Sequence, residues 1–266
     1  MNTKQLLESY AQGERNFPGA ILIGAKLKKT DLRKINLSRA NLINADLAGA
    51  SLNQAHLTNI NLINANLSNT DFSKADLTAA YLTGAKLIGA NLTKALFMKA
   101  YLNDANLIHA QLVGANLKWA NLTKAKLISA NLKSVNLKHA NLTGVNLIGA
   151  DLRGADLSYT DLTSVNFSGT LIDETTIMSD KWRLVRDIVT RGAKGRNLSY
   201  ANLSGANLIG ANFIEANLTG VNFTGANLSG VYLSQAQVNN TLFVGVIGLS
   251  KSAKFDLKKR GAIVKE

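Results

Sequence analysis

The sequence predicts an all-β solenoid built from coils of 20 residues. Three observations carry that reading. A five-residue unit recurs almost without interruption, as in ANLIN, ADLAG, ASLNQ and AHLTN. Its apolar positions are spaced by two and three residues in alternation. A chain of 266 residues with 46% hydrophobic content has material for a core, yet it contains no cysteine and a single proline. Internal repetition at a fixed period decides the architecture ahead of any local propensity.

Let i denote the central apolar residue of a unit, so that i−2 is usually Ala, i−1 is Asn or Asp, and i+1 and i+2 are polar or small. Central positions run every fifth residue from Phe17 to Ile177, resume at Leu198 and continue to Phe243. On an α-helix this spacing scatters the apolar residues around the whole circumference, so no stripe forms. On a flat strand the odd period throws successive pairs onto opposite faces. Both pairs point inward only if the chain turns a corner in every unit. Four corners close a coil, with Leu at i and the small Ala at i−2 filling a narrow square interior. Coils stacked at about 4.8 Å give an ordinary inter-strand spacing. Each buried Leu contributes roughly 1.5–3 kcal/mol before chain entropy is subtracted, and the total is spread over nearest neighbours.

The elements follow in order. Residues 1–13 form a capping helix, with Thr3 as N-cap, Leu6, Leu7 and Tyr10 as the apolar side and Gly13 just past the end. Residues 14–179 are the first repeat block. Residues 180–195 interrupt it with a helix capped by Ser179, carrying a stripe of Trp182, Val185, Ile188 and Val189 and ending at Gly192. From Ile177 to Leu198 is 21 residues, one more than a coil, so this helix replaces most of a coil or bulges from one, packed where two blocks adjoin. Residues 196–245 are the second block. Residues 246–266 cap it, with a helix from Ser252 to Gly261.

Tandem A(D/N)LXX resembles the pentapeptide-repeat family, which implies a right-handed quadrilateral β-helix. The segment Lys181, Trp182, Arg183, Leu184 and Val185 resembles an insertion in cyanobacterial members. The lead-in through Ala11, Gly13, Arg15, Asn16 and Phe17 is similar to the HetL-like branch of that family. The resemblance implies a scaffold that acts by contact with a partner.

Charge and composition narrow the function further. There are 30 Lys and Arg against 17 Asp and Glu, a formal net charge of +13, which favours polyanions and acidic proteins as partners and disfavours imitation of DNA. No apolar run approaches the 18 residues of a membrane span. The first residues lack the charged start and apolar stretch of a secretory leader, so the expected location is cytoplasmic. No catalytic residue is assigned, because Asp151, Asp156 and Asp161 sit at i−1 of successive units and point to successive sides. His56, His109 and His139 occupy different coils and different positions, so neither a metal site nor a cofactor is expected.

Residues 20 apart stand above one another, so outward columns can be read directly. One i+2 column holds Lys99, Trp119, His139 and Tyr159, with Lys118 and Lys138 beside it at i+1; aromatics among lysines suit a protein partner. A second column holds Ile88, Ile108, Ile128 and Ile148, a candidate for self-association. Tyr81 over Tyr101 reads as a structural ladder. The alternative function is nucleic-acid or anionic-surface binding. Lys94, Lys99, Lys124, Lys126 and Lys133 lie on different sides, so no basic stripe supports it; Lys181, Arg183, Arg186, Arg191, Lys194 and Arg196 are denser and form a candidate local anion site.

Overall fold

The computed structural model describes residues 2–266. The chain divides into two compact units, Met1–Asp161 with Thr170–Ile177, and Leu162–Gly169 with Met178–Glu266. In both, the repeated feature is a parallel bridge between i−1 residues 20 apart: Tyr101 pairs with Asn121, Asn121 with Asn141, and Asn197 with Asn217. Each repeat contributes one bridging residue rather than a strand, because five residues that turn a corner leave no room for more.

The repeat Ala120–Lys124 shows how the backbone is satisfied. The Asn121 N–H donates to Ala100 O at 2.9 Å, and the N–H groups of Leu122 and Lys124 donate to Asn141 O and Thr143 O at 2.8 and 2.9 Å. The Ala120 N–H closes the preceding turn onto Leu117 O at 3.0 Å. The Thr123 N–H donates to Asn121 Oδ1 at 3.0 Å. All five amide donors of the repeat are used. The last of these bonds explains the preference at i−1: only Asn or Asp places a side-chain oxygen where the i+1 N–H points, the Asx arrangement. The same bond recurs at Asn36, Asp76, Asn106 and Asn217. Position i+2 takes a positive φ, 58° at Lys124, as the third residue of a type II turn requires.

The core is the i and i−2 stack. Leu102 and Leu122 are fully buried, as are Ala100 and Leu117. Thr replaces Ala at some i−2 positions without an orphaned hydroxyl, since Thr70 Oγ1 donates to Leu47 O at 2.8 Å and Thr170 Oγ1 to Leu147 O at 3.0 Å. In the second unit Phe213, Phe223 and Phe243 take central positions, with Phe223 stacked on Phe243 at 5.2 Å between ring centroids.

Two expected register points are corrected. Ile177 is a bridge residue, 54% exposed, paired with Asp156, while Met178 is buried. The repeat before it holds one extra residue in the turn at Asp173–Thr176, where Asp173 Oδ1 accepts from the N–H groups of Gly154, Thr175 and Thr176. The bond from the Thr175 hydroxyl, followed by these, holds the Asp173 carboxyl at about 2. The second run also begins before Leu198: Ala193 is fully buried, and the N–H groups of Ala193 and Gly195 donate to Asn212 O and Ile214 O, as at any central position.

Among the described residues three helices punctuate the repeats, and two of their N-caps differ from those expected. Helix α1 (Thr3–Ala11) is capped by Asn2 rather than Thr3, in a reciprocal box with Gln5; it buries Leu6, and Arg15 lies over the Tyr10 ring at 3.8 Å. Helix α2 (Asp180–Arg191) starts after Ser179, whose side chain makes no capping bond. It buries Trp182, Val185 and Ile188 together with Arg186, which lies four residues from Trp182 on the same face; Trp182 meets Phe167 at 6.4 Å. Strand β1 (Leu242–Val244) precedes helix α3 (Lys251–Lys259), which is capped by Ser250 and so starts before Ser252. Strand β2 (Ile263–Lys265) then pairs with β1 in parallel, Leu242 opposite Ile263, and supplies one further rung.

Replacing Leu122 by Ala is expected to cost about 2–5 kcal/mol, the range for a buried Leu, whereas Asn121→Ala, which removes one amide's acceptor, is expected to cost about 1 kcal/mol. Denaturant midpoints of the two variants against the wild type check both values and their order.

Candidate functional site

The i+2 position is the most demanding outward place in the repeat, because a left-handed backbone suits Gly and Asn. Many i+2 positions are filled accordingly, by Gly49, Gly84, Asn64 and Asn69 among others. One column is not. Lys99, Trp119, His139 and Tyr159 have φ of 59°, 60°, 58° and 59°, held by bonds from Lys99 N to Lys118 O, Trp119 N to Lys138 O and His139 N to Ser158 O at 3.0–3.1 Å.

The three rings of this column stack. Trp119 and His139 are 5.8 Å apart at 19°, and His139 and Tyr159 are 4.9 Å apart at 6°. Lys118 Nζ sits 4.0 Å from the Trp119 ring centroid and Lys99 Nζ 5.9 Å from it. Lys138 is tied instead to Asp156 at 2.9 Å. Burial pushes the Asp156 carboxyl up, but bonds from Ser158 and Lys138 outweigh it and leave the carboxyl below its ordinary value. Trp119 remains 47% exposed and Tyr159 82% exposed. Thus the structure brings all six residues of the aromatic and lysine set onto one side of the coil.

The stack does not offset the backbone cost of its rings, a cost that other i+2 residues such as Lys34, Lys74 and Lys94 share. A side chain in the left-handed region costs about 1–2 kcal/mol, a sum of about 3–6 for Trp119, His139 and Tyr159, whereas an aromatic contact returns only about 0.5–1.5 kcal/mol at each of two interfaces. Asn at these positions would be cheaper.

Sequence reasoning missed part of this surface. Leu96 takes the i−1 place in the same stack, where Asn116 and Asn136 follow it. It is 39% exposed and offers no oxygen to the Met98 N–H. Tyr101, one residue beyond Ala100 from Lys99, also occupies i−1 and stacks on Tyr81 at 5.2 Å with the rings parallel. The available signal was an apolar residue standing where the repeat asks for Asn or Asp.

Other candidates do not converge. Among the described residues no group of three or more His, Cys, Asp and Glu is placed to hold a metal ion, and no helix is long and apolar enough to cross a membrane. In the basic helical segment, Asp187 takes Arg196 at 2.7 Å and Arg191 at 3.3 Å, and Lys181 lies over Trp182 at 4.5 Å. Asp151 accepts from Arg153 at 2.9 and 2.7 Å and pairs with Lys133 at 3.3 Å; these bonds, Arg153 first, hold its carboxyl at about 2.

Residues 20–169 and 197–243 match the model for pentapeptide repeats, in eight copies. No curated protein matches the chain. The chain is similar to HetL, a pentapeptide repeat protein involved in heterocyst differentiation regulation from Nostoc sp. strain PCC 7120, at 31% identity over 91% of this chain and 96% of that one, with a TM-score of 0.48. It is also similar to QnrB1, a plasmid-mediated fluoroquinolone resistance protein, at 16% identity over 64% of this chain and 94% of that one, with a TM-score of 0.53.

A carboxyl held low in the folded chain stabilises it above the unfolded value and loses that contribution as the pH falls toward the folded value. Stability is therefore expected to drop between about pH 4 and pH 2, the window set by an unfolded Asp near 3.9 and Asp151 at about 2. The drop should be shallower in Asp151→Asn, as thermal melts across that range will read.

Proposed function

Because the chain belongs to the pentapeptide repeat family, we propose that it is a non-enzymatic scaffold, wound as the family's right-handed four-sided β-helix, that binds a protein partner along the face carrying Lys99, Lys118, Trp119, Lys138, His139 and Tyr159. The observation that carries this reading is the stack of large, exposed rings lying beside lysines in one column. Local rules are broken in natural proteins chiefly where function requires it, and exposed Trp and Tyr beside cations are the residues that dominate protein interfaces. Leu96, Met98 and Tyr101 extend the same surface with apolar area.

The reading needs no catalytic group, cofactor or metal, and it places the protein in the cytoplasm. A regulatory role in a cyanobacterium is part of the same proposal, supported by the 31% sequence identity to HetL. Imitation of DNA is disfavoured by the net charge of +13, and the likeness to QnrB1 concerns the fold.

The test is capture of a partner from the host and measurement of its affinity for Trp119→Asn/Tyr159→Asn. Asn already stands at i+2 in Asn59, Asn64 and Asn69, so the variant should melt no lower than the wild type. Binding should weaken by at least about 2 kcal/mol, the scale of an interface hot spot. Asn69→Ser, on the opposite column, should bind as the wild type does. Unchanged affinity in the double variant would overturn the assignment of this face. Binding that instead collapses at about 150 mM salt, equally in both variants, would mark a polyanion partner.

A further inference from the structure

A second surface, on the opposite side of the first unit, has a different character. Ile88, Ile108, Ile128 and Ile148 occupy i+1 in four successive coils. Their register is fixed by bonds from the N–H groups of Gly89, His109 and Ser129 to the carbonyls of Ile108, Ile128 and Ile148 at 2.8–3.0 Å. Ile88 and Ile148 are each 37% exposed, and Ile108 and Ile128 are half-buried. A β-branched residue at i+1 is not demanded by the repeat, since Lys118, Lys133 and Lys138 stand there equally well. Four in register form an apolar stripe about three inter-strand spacings long, or roughly 14 Å.

The columns that flank the stripe have a symmetry of their own. At i−1 the bridged residues read Lys86, Asn106, Lys126, Asn146; at i+2 they read Gly89, His109, Ser129, Gly149. Reversed end to end about the middle of the stripe, the columns superimpose: Ile88 on Ile148, Ile108 on Ile128, Gly89 on Gly149 and His109 on Ser129. The charged column reverses so that Lys86 falls on Asn146 and Lys126 on Asn106. No lysine meets a lysine, and each is offered an amide oxygen. This is the self-complementarity that an isologous two-fold interface requires, in which one patch serves both copies.

We propose that a second copy of this chain packs antiparallel along this stripe, pairing Ile88 with Ile148 and Ile108 with Ile128 across a two-fold axis. The proposal is independent of the partner face, which lies on the other side of the coil. Three outward columns over four coils are fewer than the 20–30 residues a side of a standard interface. The dimer is therefore a reversible one that forms in the micromolar range.

Sedimentation of the full chain from about 5 to about 500 µM, a range that brackets such an affinity, should show the average mass rising from 28.4 kDa toward twice that value. Ile108→Lys/Ile128→Lys should raise the dissociation constant at least about tenfold, as loss of a hot spot does, and Trp119→Asn/Tyr159→Asn should dimerise as the wild type. The chain has no cysteine, so single thiols report the alignment whether or not the lysine variant folds. A mixture of Lys86→Cys and Asn146→Cys should be joined by a bis-maleimide spanning about 10 Å, the distance between packed sheets, while Lys86→Cys alone, which stands three spacings or roughly 14 Å out of step with its own copy, should not. A mass that stays at the monomer value, a dimer indifferent to the lysines, or cross-linking of position 86 to itself would each overturn the proposal.

Discussion

The hydrogen bond from the i+1 amide to the Asn or Asp oxygen at i−1 is the constraint on which the coil depends. A five-residue repeat that turns a corner can bond four of its amides through neighbouring coils and the turn itself, and the fifth has no backbone carbonyl in reach. In Ala120–Lys124 that fifth donor is Thr123, and Asn121 receives it at 3.0 Å. Buried or half-buried donors left without an acceptor cost about 1–3 kcal/mol each, and the cost would recur at every corner. Where Asn or Asp stands at i−1 the side chain thus completes the backbone; at Tyr81, Lys86 and Leu96 no amide or carboxyl oxygen stands there, and the burial of Leu82, Leu87 and Phe97 holds those corners in register.

This constraint explains what could be read from the sequence. The two-and-three spacing places Leu102 and Leu122 inside without further information, and both are fully buried. The columns of Trp119, His139 and Tyr159 and of the four isoleucines follow from the count of 20 alone. What was not legible is the register around irregular turns. Nothing in Asp173–Glu174–Thr175–Thr176 announces the extra residue, because it is Asp173 gathering three amides that accommodates it. Ala193 was passed over as a central position because it is small, although its amide bonds like that of any Leu at i.

The candidate site was legible in part for the same reason. Aromatic residues in the i+2 column stand out against Gly and Asn, but their cost appears only once φ near 60° is known. Leu96 was passed over because nothing large stacks on it, and Tyr101 was read with Tyr81 as a structural ladder, a stack the structure shows, without being joined to the face of Trp119. They matter because each stands where the coil asks for an oxygen and withholds it. Arg186 shows the converse: a cation counted among the basic residues of its helix stands four residues from Trp182 on the buried face and is 8% exposed, and burial, with Arg191 nearby, lowers the affinity of its guanidinium for a proton.

Strand β2 bears on how such a protein stays discrete. A stack of identical coils has no intrinsic last member, since every edge it exposes is a template for the next chain. Here the sequence leaves the five-residue rhythm, passes through α3 and returns only three residues, Ile263–Lys265, to lie along β1. Arg260 turns inward at the same place and donates to Leu233 O and Ala236 O. A three-residue strand whose last member is Lys265 is a shorter and more charged template for another molecule than a full coil. The departure from the repeat thus does for β1 what one more repeat could not, since it covers an edge without copying it.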